Sequence, residues 1–266
     1  MPLEIKTCCR QFISLAVCAT ALAGTTPPVH GSDPERFGTN AIAEPSPDDD
    51  EVPIASTLLE SVIRQLPADP IRVTGKLLVR RHRGVPVKTY GFELIARWGD
   101  NEPHTQYTIF DAFGAPLEQL SLTHTTPPRV TYAAGAELTP VPIGSMGRQI
   151  QQSDISWLDL TLSFLWWTDA YHEGEESVRT FDCYIIRVNR PPDEPGPYHS
   201  VRLWISKKAG MMLRAEGLDI SGNPIRQLWV QNVQKIDGAW MVKDMEIQSP
   251  PAVQRTKLSI TEVERL

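Results

Sequence analysis

The feature that most limits what this chain can become is the run from Arg179 to Val263, a nearly unbroken train of extended segments. Arg179–Arg190, Ser200–Ser206, Met211–Ile220, Pro224–Ile236, Ala239–Gln248 and Arg255–Val263 carry the β-branched and aromatic residues that strands favour. Between them lie Lys207–Gly210, Ser221–Pro224 and Asp237-Gly238, whose Gly and Asn residues suit the positive φ of tight turns. Loops this short join strands antiparallel, so about six strands are expected to form one meander.

The upstream half repeats the pattern. Ile71–Arg81, Val85–Trp98, His104–Phe110, Ala115–Leu122 and Arg129–Ala133 alternate or nearly so, with joints at Arg83-Gly84, Gly99–Asn101, Asp111–Gly114 and Thr125–Pro128. Spacing of roughly 10–15 residues fits an antiparallel sheet and not βαβ units. Two stretches break the strand period. Ile54–Leu66 places apolar residues at 54, 58, 59, 62, 63 and 66, an amphipathic helix ended by Pro67 and Pro70. Ser156–Ala170 reads as a second helix, with Ser153, Asp154 and Ser156 as N-cap candidates. It is apolar nearly all round, so it is either a core helix or one that fills or lids a hydrophobic cavity. Gly135–Gln152, rich in Pro and Gly, reads as a mobile loop.

Catalytic and metal patterns are not met. His172-Glu173-Gly174-Glu175-Glu176 lacks the second His of a zinc-protease helix, and the six histidines show no ligand spacing. There is no nucleophile elbow, phosphate-binding loop or dinucleotide fingerprint. The reading is therefore of a non-enzyme with no catalytic residues, no metal and no cofactor. Arg80–Arg83 invites phosphate binding, but its place beside a hairpin turn favours a solvated loop. Asp219 and Glu216 are better explained by turn capping than by paired acid–base work. The net charge of −6 speaks against nucleic acid as a partner.

The N-terminus resembles an export signal, with Lys6 and Arg10 before apolar Phe12–Gly24 and cleavage sites near Ala23 and Gly31. Residues 1–31 are read as a signal peptide and 32–51, with Pro45, Pro47 and Asp48–Glu51, as a disordered acidic linker. Lipid attachment at Cys18 is a minor alternative to a freely periplasmic protein. Removing the signal leaves Cys183 as the one cysteine, a small core residue in a strand.

What remains is apolar surface. Seven tryptophans fall on strands or on the apolar helix, and Pro224–Val233 alternates imperfectly, with Trp229 on one face and Leu228 and Val230 on the other. Two helices are few to cover about eleven strands, which argues for a curved sheet around an apolar cavity partly plugged by those helices.

Ser153–Leu160 (SDISWLDL), Phe181–Ile185, Arg202–Ser206, Asp219–Ile225, Gly238–Trp240 and Thr256–Val263 together resemble the outer-membrane lipoprotein-sorting proteins of the LolA-like superfamily. The resemblance covers roughly residues 52–266. It implies a mainly β fold, an unclosed antiparallel barrel of about eleven strands with helices lidding a hydrophobic cavity that takes acyl chains. The Pro-rich loop 135–152 and the Arg190–Pro197 insertion match none of its motifs, so no specific partner carries over.

The expected function is that of a periplasmic carrier or chaperone for lipid or lipoprotein acyl chains, with Trp98, Trp157, Leu160, Phe164, Trp167, Trp204 and Trp229 as candidate cavity residues. An inner-membrane exporter or envelope protein is a candidate partner, with peripheral membrane contact and a monomeric state. The first alternative is an envelope-stress sensor or protein-binding scaffold on the same fold, its cavity filled by its own side chains. Close packing of Trp157, Phe164 and Trp167 without a void would favour that alternative. The second is a hydrolase with a site that follows no sequence motif.

Overall fold

A computed structural model describes residues 53–81, 86–236, 239–251 and 253–266. The expected signal peptide, Cys18 and the acidic linker lie outside the described residues, as do His82 and Arg83 of the cationic cluster.

Thirteen antiparallel strands form one sheet: β1 (Ile71–Arg81), β2 (Pro86–Arg97), β3 (His104–Phe110), β4 (Pro116–Thr123), β5 (Arg129–Ala134), β6 (Thr139–Pro140), β7 (Asp169–Val178), β8 (Phe181–Asn189), β9 (Ser200–Ser206), β10 (Met212–Leu218), β11 (Pro224–Ile236), β12 (Ala239–Gln248) and β13 (Gln254–Arg265). Their spatial order is β6-β5-β4-β3-β2-β1-β13-β12-β11-β10-β9-β8-β7. Two meanders, 1–6 and 7–13, thus meet where the first strand pairs with the last, Ile71 opposite Arg265 through Arg81 opposite Gln254. The sheet does not close, since β6 and β7 are its two edges. Gly75 sits at a register shift in β1, where an added Cβ would run into the Phe92 ring and the Ser259 carbonyl. A close backbone approach of this kind tolerates only glycine.

The strand count exceeds the expected eleven by two. β6 lies inside the stretch read as a loop, and β7 takes up the end of the stretch read as helix. The second helix is itself shorter than expected: α2 covers Trp157–Thr161, Leu162 adopts a left-handed φ of 51°, and a 3₁₀ turn follows at Ser163–Trp166. The cause is local. The Thr161 hydroxyl donates to the Trp157 carbonyl at 2.8 Å and lies 2.5 Å from the Ser163 hydroxyl, so side chains compete with the helical backbone. Ser156 is the N-cap, with a capping box in which Asp159 accepts from the Ser156 amide at 2.9 Å.

α1 (Ala55–Arg64) buries Ala55, Leu58, Leu59 and Val62 against the sheet and leaves Ile54 exposed at its N-cap. The inward face of the sheet, α1, α2 and the 3₁₀ turn share one core that includes Leu77, Phe92, Ile109, Leu120, Leu203 and Ile247. The outward face carries ion pairs beside a small apolar cluster around Cys183 and Trp204. Glu173 forms ion pairs with both Arg187 (2.5 Å) and Arg202 (2.6 Å), and Glu216 accepts from Arg214 (2.5 Å) and Gln227 (3.0 Å).

Candidate functional site

The inward end of α2 is locked by a buried polar knot built from the SDISWLDL stretch. Asp159 accepts from the Tyr198 hydroxyl at 2.6 Å and lies 3.5 Å from Arg226 Nε. Arg226 also donates to the Asp154 carbonyl and to Ser249 Oγ, the latter at 2.6 Å. Thr256 Oγ1 accepts from the Asp154 amide at 2.9 Å. Tyr198 packs flat enough on β10 that a Cβ at Gly217 would enter its ring. Burial, then the neighbouring Asp159 charge, push the Tyr198 hydroxyl well above its ordinary pKa, so it remains a donor. The knot carries two carboxylates and an arginine, yet every member has structural partners, and its position is behind the cavity rather than in it.

The cavity opens under the helices. It has a volume of about 210 Å³ and is walled by Val62, Leu66 and Pro67 after and within α1, by Val73, Phe92, Leu94 and Tyr107 from β1–β3, and by Leu160, Leu162, Leu165 and Trp166 from the plug. Met211, Met212, Met241 and Met245, four of the six methionines in the chain, complete it with Leu258 and Ile260. Met is flexible and polarisable, so a wall rich in it adapts to differently shaped apolar ligands. The polar groups at the wall are Gln65, Thr161 and Tyr107. Burial raises the Tyr107 hydroxyl far above its usual pKa, so it is neutral. Among the described residues, no carboxylate, lysine or arginine lines this space. Leu66, Pro67, Trp98, Met211 and Met241 are half-buried and mark its accessible side.

The plug is held against the sheet by aromatic contacts. Trp166 stacks on His124 with ring centroids 3.8 Å apart. Phe164 and Trp167 meet edge to face at 6.4 Å, and the Trp167 indole donates to Glu194 at 2.9 Å. Burial, with a smaller contribution from His104, holds the His124 pKa down at about 4.

The seven residues expected at a cavity divide into three groups. Trp98 and Leu160 line it. Trp157, Phe164 and Trp167 are buried in the adjoining core, 0%, 1% and 3% exposed, without reaching the space. They are close-packed, but a void lies beside them. Trp204 and Trp229 are not brought to the cavity at all. In register, Trp204 faces Arg214 and Arg214 faces Trp229, a row on the outer side of the sheet. Arg214 lies 4.2 Å over the Trp204 ring, whose indole donates to Glu176 at 2.8 Å. The reason is parity: Leu228 and Val230 take the inward positions of β11, which turns Trp229 outward. The methionine wall was missed by sequence reasoning. Its signal was present in Met211-Met212 and in the two-residue alternation that puts Met245 opposite Val230 and Leu258.

A family described as an uncharacterized protein matches residues 138–265. No curated protein sequence matches the chain. Several solved structures are similar in fold. A DUF1329 family protein from Desulfovibrio piger superposes with a TM-score of 0.67 at 18% identity, over 79% of this chain and 91% of that one. An outer membrane lipoprotein-sorting protein domain from Vibrio parahaemolyticus gives 0.66 at 12% identity, over 79% and 92%. A LolA superfamily protein from Nitrosomonas europaea gives 0.63 at 15% identity, over 81% and 94%. The open antiparallel sheet wrapped around two short helices is therefore similar in fold to these three structures.

Proposed function

We propose that this protein is a non-catalytic periplasmic carrier that shields the acyl chains of a lipid or lipoprotein during sorting to the outer membrane. The observation that carries this reading is the methionine-rich cavity between β1–β3, β12–β13 and the two helices, with no carboxylate or amine in its wall among the described residues. Each methylene transferred there contributes about 0.8 kcal/mol, so about ten of them supply affinity in the micromolar range before ordering costs. No covalent chemistry is needed. The fold shared with a lipoprotein-sorting domain supports the same reading. At about 210 Å³ the cavity is smaller than the roughly 300 Å³ at which small-ligand pockets begin. Uptake of a full chain thus requires the plug to move, and the left-handed Leu162 between α2 and the 3₁₀ turn is its natural hinge. Native mass spectrometry of protein purified from membranes, with a fluorescent fatty-acid uptake assay, tests the proposal. Co-purified lipid and saturable uptake are expected; neither appearing would overturn it.

A second reading draws on the close packing of Trp157, Phe164 and Trp167. It makes the domain a scaffold or sensor that binds another envelope protein on its surface. Its signature is capture of a defined envelope protein by in-cell crosslinking together with no lipid uptake.

A further inference from the structure

A second pocket, of about 330 Å³, lies where β9 and β10 end early and leave a gap between the β7–β8 hairpin tip and β11. Its wall is mostly apolar: Val178, Phe181, Met211, Leu213, Val230 and Val233. Phe181 is 39% exposed there. Two cations stand at the same wall, Arg179 and Lys208, and among the described residues no carboxylate does.

The neighbouring acids are already engaged. Glu175 pairs with Lys207 at 2.5 Å, Asp182 accepts from Ser177 at 2.6 Å, Glu176 accepts from Trp204, and Asp244 accepts from Asn232 at 2.6 Å. Lys208 forms no ion pair or side-chain hydrogen bond among the described residues. Arg179 adopts a left-handed φ of 57° at the hairpin tip, a conformation that a non-glycine residue keeps only when its surroundings enforce it. What enforces it is the two-residue hairpin loop between paired Val178 and Phe181, while the Arg179 guanidinium donates to the Gln231 backbone carbonyl at 2.9 Å and side chain at 2.6 Å. The guanidinium is thus pinned over the gap with N–H donors to spare.

We propose that this gap is a binding site for a long-chain fatty acid, its carboxylate at Arg179 and Lys208 and its chain against Phe181, Met211 and Leu213. Apolar walls alone would take any amphiphile. Two cations at one wall, Arg179 held by Gln231 and Lys208 on the neighbouring turn, select an anionic one. The site does not depend on occupancy of the first cavity, because of its apolar wall only Met211 is common to both.

The test titrates purified full-length protein with carboxyl-labelled ¹³C palmitate and, in parallel, with hexadecanol, by calorimetry and NMR. Palmitate should bind about tenfold tighter than hexadecanol, the difference set by the charge-assisted contacts. Lys208→Gln, on an exposed turn that leaves the core untouched, should remove most of that preference, and Lys208→Arg should keep it. Arg179→Gln should reduce it further. Val62→Trp, which fills the first cavity, should leave it intact. Equal binding of the two ligands, or a preference that survives the Arg179→Gln/Lys208→Gln pair, overturns the proposal. So does a preference abolished by Val62→Trp, which would place the carboxylate in the first cavity.

Discussion

The Tyr198 hydroxyl donates to the Asp159 carboxylate across 2.6 Å, tying the loop before β9 to the first turn of α2. The same carboxylate caps that helix through Ser156 and faces Arg226 at 3.5 Å. Three elements distant in sequence therefore share one buried acceptor, and the plug that roofs the cavity is fixed by it.

Tyr198→Phe removes one donor but leaves the carboxylate its other partners, so the expected loss is about 1–2 kcal/mol. Asp159→Ala removes the carboxylate 3.5 Å from buried Arg226, which keeps the Asp154 carbonyl and Ser249, and about 3 kcal/mol is expected. Because both residues act on one network, the losses should not add. A double-mutant cycle from urea unfolding should show a coupling of about 1 kcal/mol or more. Simple additivity would mean that the two residues stabilise the plug independently.

Asp244 anchors β12 to its neighbours. Burial alone would raise its pKa, but the combined hydrogen bonds from Asn232 (2.6 Å), Ser259 (2.7 Å) and Lys257 (3.0 Å) outweigh that and lower it. A lowered carboxylate stabilises the fold above its unfolded pKa of about 3.9 and loses that contribution as pH falls through the folded value. Asp244→Asn should cost about 1–2 kcal/mol at pH 7 and flatten the stability curve below about pH 4. Unfolding midpoints measured at pH 7 and pH 3 check both statements.

His124 has the same sign in a higher pH window. It is held neutral down to about pH 4 by burial and by His104, whereas in the unfolded chain it titrates near 6.5. Between these values the unfolded state binds the extra proton, so stability falls as pH falls. Wild type should lose about 2 kcal/mol more than His124→Phe between pH 7 and pH 5. His124 stacks on Trp166, a wall residue of the cavity, so the same acidification should loosen the plug. Hydrogen exchange of the Ser163–Trp166 amides at the two pH values reads that directly; identical exchange would separate the titration from the plug.

The meander was legible because turn chemistry is local: Asp111 and Asp219 each accept two backbone amides within their own tight turns. The pairing of β1 with β13 left no local trace, being a contact across nearly the whole chain. The length of α2 was misjudged for a similar reason. Its apolar residues satisfy a helical pattern, and only the Thr161 and Ser163 hydroxyls reveal the break. At the site, Trp98 and Leu160 followed from apolar content, but Trp204 and Trp229 did not. Size and hydrophobicity do not report facing when both faces of a strand carry apolar side chains, and in β11 the parity was set by Leu228 against Ile247.

The cavity itself gives the most direct prediction. Val62 stands on α1 and lines the space, 9% exposed. Val62→Trp should occupy it without adding a charge, costing about 1–3 kcal/mol by overpacking. A ligand at one hundred times its dissociation constant stabilises the folded state by about 2.7 kcal/mol. A monoacyl, uncharged lipid should therefore raise the wild-type Tm by several degrees and leave the Val62→Trp Tm unchanged. Met245→Ala, which enlarges the same wall, should lower the unliganded Tm yet preserve the ligand-dependent rise. A rise of equal size in Val62→Trp would place the lipid outside this cavity.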